Sequence, residues 1–420
     1  MADISLSSES SPDIDFSQAG ALGNRLLQKV NALRAADPLY FSSHQNAWIV
    51  TSHELVVEAF KGGLPLSSQQ QEVVASFIPD AAERKEKIGY LLDIVSTWMN
   101  FSDGAKHERL RKLMVKAFGR NIAEKYRPSV RQFVNQTLDH VAGKTVVDVM
   151  EELALPVPIL TILQLAGLTT EHRGMFEEAA QLATETLGGY PTVSELERAN
   201  NAFLRLYEPL LAVVHERRAN PGEDFVSTLV QAEVDGERLT DFEIVGQMTL
   251  LLLAGHESTT STIALSLAAL STAPDACDFI RRNPDKILDA TMELMRFVAM
   301  STSMSRIVAE DFDWHGRQLK KGQFVHLMIA GANRDPAVFS NPEVLDVTRP
   351  QYENMTFAPG LHHCIGHLFA KMEVSEFLIE FLNRYESFDL ENPEITFNNS
   401  ITFRGPRSMT MRLTPRQHAA

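Results

Sequence analysis

Only two of the 420 residues are cysteine, Cys277 and Cys364. A disulfide framework is thereby excluded, a reducing compartment suits the chain, and each thiol needs its own explanation. Positive charge is also short. A formal net charge of −15 repels the phosphate backbone and anionic membrane surfaces alike, so neither nucleic acid nor membrane is expected as a partner. No apolar run approaches the roughly 20 residues that cross a bilayer; Met248 to Gly255 is among the longest. The chain does not start with a basic segment followed by an apolar one, so no secretory signal is read there and the cytoplasm is expected. Gly/Ser linkers, proline-rich hinges and fixed-period repeats are missing too. The expected organisation is therefore one domain over 17–420, preceded by a polar, loosely held arm over 1–16.

What the sequence does have is helical periodicity. Apolar residues recur three and four apart in 24–38, 52–63, 105–119, 171–189 and 194–223, which predicts a mainly α protein. Strand patterns are short, at 46–51, 305–329 and 401–414, with "WHGR" (314–317) as a hairpin turn. Two stretches, 64–104 and about 329–363, lack clear pattern, and such long loops in a compact domain usually serve function. The longest predicted helix runs from Asp241 to about Ala273, and its first half is apolar all round, which implies burial on every side. Gly255, His256, Glu257 and Ser258 interrupt it. A buried carboxylate at that point demands a compensating role.

The stretch "TFAPGLHHCIGHLFAKMEV" (356–374) crowds His362, His363, Cys364 and His367 into six positions. Three readings of Cys364 compete. Free cysteine is often a plain buried residue. The three histidines would allow zinc, although zinc sites usually join two short ligand pairs across a longer spacer. The third reading is a thiolate that binds haem iron from the start of a helix, where free N–H groups favour the deprotonated sulfur. Gly360 and Gly366 would then let a flat macrocycle approach the backbone, and His362 would be a basic partner for its propionates.

The segment resembles the haem-binding signature of the cytochrome P-450 family, F-G-x-G-x-H-x-C-x-G, in Phe357, Gly360, His362, Cys364 and Gly366, and it continues with Phe369 and Ala370. Ala358 replaces the first glycine, a change expected to be tolerated because φ stays negative. "ELMR" (293–296) resembles the family's E-x-x-R, and Arg349 fits the arginine that completes it; Glu293, Arg296 and Arg349 are then implied to lock the cysteine loop against the core. "AGHEST" (254–259) resembles A/G-G-x-D/E-T-T on the family's central helix, where hydrogen bonding is loosened into a groove for dioxygen. Glu257 and Ser258 are the implied acid and alcohol of proton delivery, with serine in place of the usual threonine. "KHERLRKLMVKAF" (106–118) resembles the propionate-binding H-x-x-x-R helix, giving His107 and Arg111, and Arg306 takes the place of a further propionate partner. On the other face of that helix, Arg109, Lys112 and Lys116 are either the docking surface of an electron donor or simply a solvated stripe. "ANRDP" (332–336) is similar to the family as well.

The resemblance implies the cytochrome P-450 fold, mainly α with small β-sheets and a long central helix over haem b (iron protoporphyrin IX). It further implies a monomeric monooxygenase of the soluble bacterial class that inserts one oxygen atom of O2 into a medium-sized hydrophobic molecule, by hydroxylation or epoxidation. Electrons would come from NAD(P)H through a separate reductase and ferredoxin. The family's pocket maps to Leu251, Ala254, Gly255, Val298 and Thr402, with Ile78, Met99, Met300 and Met304 nearby, a lining suited to a terpenoid, steroid or polyketide. Two other readings compete: a peroxide-driven oxygenase of the same fold, which would usually spoil the acid–alcohol pair, and a non-catalytic haem protein that senses or carries a gas.

Overall fold

The structure is a computed structural model that describes residues 14–43, 45–187, 191–350 and 353–417. Its axis is a helix of 30 residues, Asp241–Leu270. Thr240 and Glu243 fix where that helix starts: the Thr240 hydroxyl accepts from the Glu243 N–H at 3.2 Å, and the Glu243 carboxylate accepts from the Thr240 N–H at 2.9 Å. Two otherwise orphaned donors are satisfied reciprocally. The helices Pro156–Leu165, Val193–Ala219, Ile287–Val298 and His367–Arg384 pack around it, which is why its sequence is apolar on every side.

The central helix ends at Leu270 rather than near Ala273, and it is unbroken through Gly255. The expected interruption is absent from the backbone. Hydroxyls at Ser258, Thr260 and Thr262 instead donate to the carbonyls of Ala254, His256 and Ser258 at 2.7, 2.9 and 2.8 Å. Such back-bonding lets polar residues occupy a helix interior without leaving it.

The 64–104 stretch also differs from expectation, since it contains the helices Gln71–Ser76 and Ala81–Ser96. Asp80 caps the second, accepting from the Glu83 N–H at 2.8 Å. Its first half, AAERKEK, carries almost no apolar face, and non-helical backbone at Ile88 (φ −134°) separates it from the apolar half. The periodicity is split and cannot be read. By contrast, 329–363 contains only the short helix Ile329–Ala332 among its described residues.

Strands are few and short. The largest sheet runs, in order, Leu39–Ser42, Ala47–Val50, Phe324–Leu327, Met304–Val308, Leu66–Ser67. The 314–317 hairpin is present: Phe312–Trp314 pairs with Arg317–Leu319 through His315 and Gly316, at φ 49° and 79°, as a tight two-residue turn requires. Residues 1–13 of the expected arm lie outside the described residues. Ile14 and Phe16 do not belong to an arm, because both are buried in a cluster with Leu26, Val30, Ile49 and Met328. Two apolar side chains within reach of the sheet are enough to seat the segment. No single described helix is long and apolar enough to cross a membrane.

Candidate active site

The cysteine loop is held from both sides. Its start is tied by the Met355 N–H, which donates to Asn333 Oδ1 at 2.7 Å, and its end by the Cys364 N–H, which donates to the Phe357 carbonyl at 2.9 Å. Gly360 has φ 83°, and a Cβ there would lie 2.1 Å from the Phe60 carbonyl oxygen. Gly360 thus serves the turn and its contact with Phe60, not the approach of a macrocycle. Gly366 differs: the nearest atom to a Cβ would be Cys364 Sγ at 4.0 Å, and the residue lines a cavity. Ala358 overturns an expectation, for its φ is +48°. The methyl group sits in the left-handed region, where an L-residue is strained by about 1–2 kcal/mol.

Glu293, Arg296 and Arg349 form a buried network rather than a surface pair. Arg296 grips the Glu293 carboxylate bidentately at 2.7 and 2.8 Å, and Arg349 Nε reaches it at 3.1 Å. Both arginines also donate to main-chain carbonyls, Arg296 to Asn333 and Pro342 at 2.8 and 2.9 Å and Arg349 to Ser340 at 2.7 Å. Buried charge is tolerated because each partner is matched in number and geometry. The network ties the helix Ile287–Val298 to the chain that leads into the cysteine loop.

The helix Gly104–Ala117 turns His107, Leu110 and Met114 inward, with Arg111 on the same side. The His107 ring lies against that of His362, tilted by 32° with centroids 4.0 Å apart. His107 Nε2 is buried with no partner. His362 Nε2 meets Ser68 Oγ at 3.2 Å and Asp103 at 3.9 Å. Arg111 donates to the His363 carbonyl at 2.8 Å, and Arg306 lies over the Phe60 ring at 5.6 Å. Burial, then Arg306 and the neighbouring His107, push His362 down to about 3, and burial lowers His107 as well. Both rings are therefore neutral, so the permanent positive charge of the cluster resides on the two arginines. His362 is a hydrogen-bonding partner there and not a cation.

Cys364 opens onto the cavity rather than onto bulk solvent. Burial pushes its thiol up, against the lowering effect of the Gly366 and His367 backbone N–H groups and of Arg111. Desolvation thus outweighs the helix start on which the sequence reading relied. A metal cation reverses that order, since coordination deprotonates a thiol outright. The three nearby histidines do not converge on the sulfur. His362 faces His107, while His367 Nδ1 meets the Cys364 carbonyl at 2.9 Å and its ring packs against His363. No zinc-like cluster exists among the described residues.

The cavity is about 320 Å3, with Cys364, Arg111, Arg306 and His362 at one side. Leu251, Ala254, Gly255 and Ser258 of the central helix line it, as do Met99, Met300, Met304 and Thr402. Val298 and Ile78 do not. Val298 packs with Leu265 and Phe397, and Ile78 is 1% exposed in the core. Phe101 joins Met99 in the wall from the 64–104 stretch, whereas Ile162 and Glu373 are unforeseen wall residues; no motif marks these two, because they come from elements brought in by tertiary packing. Two wall segments are joined to each other: Ser301 bridges Phe403, and the Thr302 N–H donates to the Thr402 carbonyl at 2.9 Å.

Glu257 does not line the cavity. Its carboxyl group accepts from the Thr184 hydroxyl on the helix Arg173–Leu187 and from Asn398 Nδ2 at 3.1 Å. Neutral partners do not repay charge burial, so the acid is shifted upward, mainly by desolvation. Arg109 is engaged too, paired with Glu243 and with Glu237 at 3.5 Å. Lys116 reaches the Glu233 carbonyl, and Lys112 is exposed.

The donor set fits an iron porphyrin. A sulfur faces open space, the cradle beside Gly366 is free of side chain, and two arginines stand with the orphaned His107 nitrogen where the carboxylates of such a group would need donors.

Comparison with known proteins agrees. The family model described as Cytochrome P450 matches residues 97–411. The polyketide biosynthesis cytochrome P450 PksS of Bacillus subtilis is 30% identical over 326 residues, 77% of this chain and 79% of that protein. The 6-deoxyerythronolide B hydroxylase of Saccharopolyspora erythraea is 30% identical over 375 residues, 88% and 91% of the two chains. Among solved structures, P450BioI in complex with hexadec-9Z-enoic acid ligated acyl carrier protein superposes with a TM-score of 0.84 at 26% identity, covering 94% of this chain and 99% of that one.

Proposed function

Since this chain belongs to the cytochrome P450 family, whose members are oxidoreductases that carry haem b, we propose that it is a monooxygenase acting on a medium-sized hydrophobic molecule of terpenoid, steroid or polyketide type. The observation that carries this reading is the Cys364 sulfur facing a mostly apolar cavity, with Arg111 and Arg306 beside it. Bound there, haem supplies the activation of O2 and the insertion of one oxygen atom into an unreactive C–H or C=C bond.

The chain's own residues do the rest. Cys364 would hold the iron, and Arg111 and Arg306 with His107 and His362 would hold the propionates. Ser258 keeps its hydroxyl on the cavity with its proton donated to the Ala254 carbonyl, so its oxygen would act as an acceptor for a cavity water. Met99, Met300 and Met304 supply an adaptable apolar wall, and the scarcity of charge on it favours a substrate without ionised groups. The relative named for polyketide biosynthesis favours the polyketide end of the range. A separate ferredoxin and reductase would deliver electrons in the cytoplasm, with Lys112 and Lys116 as the steering charges for an acidic donor.

The test is an absorption spectrum of the reduced protein under carbon monoxide. A strongly red-shifted Soret band in the wild type, lost in Cys364→Ala, is the expected result. A band at the position of histidine-ligated haem would end the monooxygenase reading. Substrate class is then read by titrating hydrophobic compounds and following the iron spin-state shift.

A further inference from the structure

Asp103 stands directly before the helix Gly104–Ala117, where an aspartate usually caps, yet its side chain accepts nothing from that helix. Both oxygens turn instead to Ser67 and Ser68. Oδ2 accepts from the Ser67 hydroxyl at 2.6 Å, and Oδ1 and Oδ2 share the Ser68 N–H at 3.1 Å each. Ser67 in turn pairs with Ile307, next to Arg306 on the strand Met304–Val308. One carboxylate thereby ties together the helix of His107 and Arg111, the strand of Arg306 and the serine that touches His362.

Ser68 is 2% exposed. Its hydroxyl has one partner among the described residues, His362 Nε2 at 3.2 Å, and a buried hydroxyl proton left without an acceptor is costly. The proton therefore lies on the line to Nε2, and a ring nitrogen that accepts carries no proton of its own. Asp103 does not compete for Nε2, because Oδ1 stands 3.9 Å away, beyond hydrogen-bond reach. The imidazole then has its proton on Nδ1. The His107 ring lies against that of His362 and resists a ring flip. Nδ1 has no protein partner among the described residues, and His362 lines the cavity together with Arg111 and Arg306.

We propose that Ser68, clamped by Asp103, is a positioning residue of the haem site: it pins the His362 proton to Nδ1, so that this ring can only donate to the propionates. The inference rests on the haem-thiolate reading above. Ser68 touches neither substrate nor cofactor and acts through His362 alone. The hydroxyl chooses between the two tautomers, one of which would present a lone pair to a carboxylate and repel it. No motif marks Ser68 or Asp103, since their partner lies about 260 to 290 residues further along the chain.

The test uses haem-loaded protein with isotopically labelled histidine, held as the diamagnetic ferrous carbon monoxide form, and reads the tautomers from long-range proton–nitrogen correlation spectra. His362→Gln identifies the His362 signals. The wild type should show a proton on Nδ1. Ser68→Ala should lose that preference, and its iron reduction potential should fall, because a carboxylate with one donor fewer leaves more negative charge near the iron. The expected size is about tenfold in the reduction equilibrium, or roughly 59 mV for one electron. Ser68→Thr keeps the hydroxyl and should keep both the tautomer and the potential. A wild-type His362 with its proton on Nε2, or a Ser68→Ala variant with the tautomer and potential of the wild type, overturns the proposal. Should Ser68→Ala fail to take up haem, Asp103→Ala releases Ser68 from its other side and must shift the tautomer; an unchanged His362 there overturns it equally. A wild type without the red-shifted carbon monoxide band would instead remove the haem-thiolate reading beneath it.

Discussion

At the scale of single residues, backbone sign and side-chain direction decide what the motifs mean. Ala358 at φ +48° carries strain that glycine would relieve, while glycine gives back roughly 0.5–1 kcal/mol through the entropy of the unfolded chain. Ala358→Gly should therefore gain up to about 1 kcal/mol in denaturant unfolding, with the carbon monoxide spectrum unchanged. Ser258 is also legible alone. Ser258→Ala should retain haem and divert oxygen to peroxide, read as the peroxide formed per NAD(P)H; an unchanged yield would remove Ser258 from proton delivery. Thr184→Val takes away a donor to the buried Glu257 carboxyl and should cost about 1–2 kcal/mol of stability in the same unfolding experiment.

At the scale of elements, the network of Glu293, Arg296 and Arg349 fixes the approach to the cysteine loop. Glu293→Ala would remove the carboxylate that two buried guanidinium groups share, a loss of about 3–5 kcal/mol. The expected outcome is protein that expresses poorly and retains little haem, measured as the ratio of Soret to protein absorbance. Full haem content in that variant would show that the loop holds its shape without the network.

This is also where legibility ends. Cys364, the His107–Arg111 pair and the Glu293–Arg296 pair stand out because they resemble family motifs of fixed local spacing, and Arg349 through its place in that resemblance alone. The direction of Glu257 was not. One helical step separates it from Ser258 and rotates it towards Thr184 and Asn398, partners that lie far away in sequence. Glu373 gave no signal, since a glutamate on a periodic helix reads as solvent-facing until another helix covers it. The helix Ala81–Ser96 escaped notice because charge fills its first half and a kink divides it.

At the scale of the molecule, one buried acid affects the dependence of stability on pH. The ordinary value for a glutamate is 4.5 and Glu373 stands at about 8. Between these values the native state holds a proton that the unfolded chain has released, so stability falls as pH rises, by at most about 1.4 kcal/mol per unit. Glu373→Gln should flatten that slope: its unfolding free energy should exceed that of the wild type near pH 9, and the difference should shrink towards pH 5. The charge distribution sets a second expectation. On a chain of net charge −15, Lys112→Glu should slow reduction by an acidic ferredoxin, and added salt should narrow the gap between variant and wild type.

The bridge between Ser301 and Phe403 and the bond from Thr302 to Thr402 join two stretches of chain a hundred residues apart into one wall of the chamber. Any change of appetite engineered at Met300 will be felt at Thr402, so libraries that vary one stretch alone will sample mostly misfitting halves. New selectivity in this scaffold should emerge from matched pairs of substitutions, with effects that do not add.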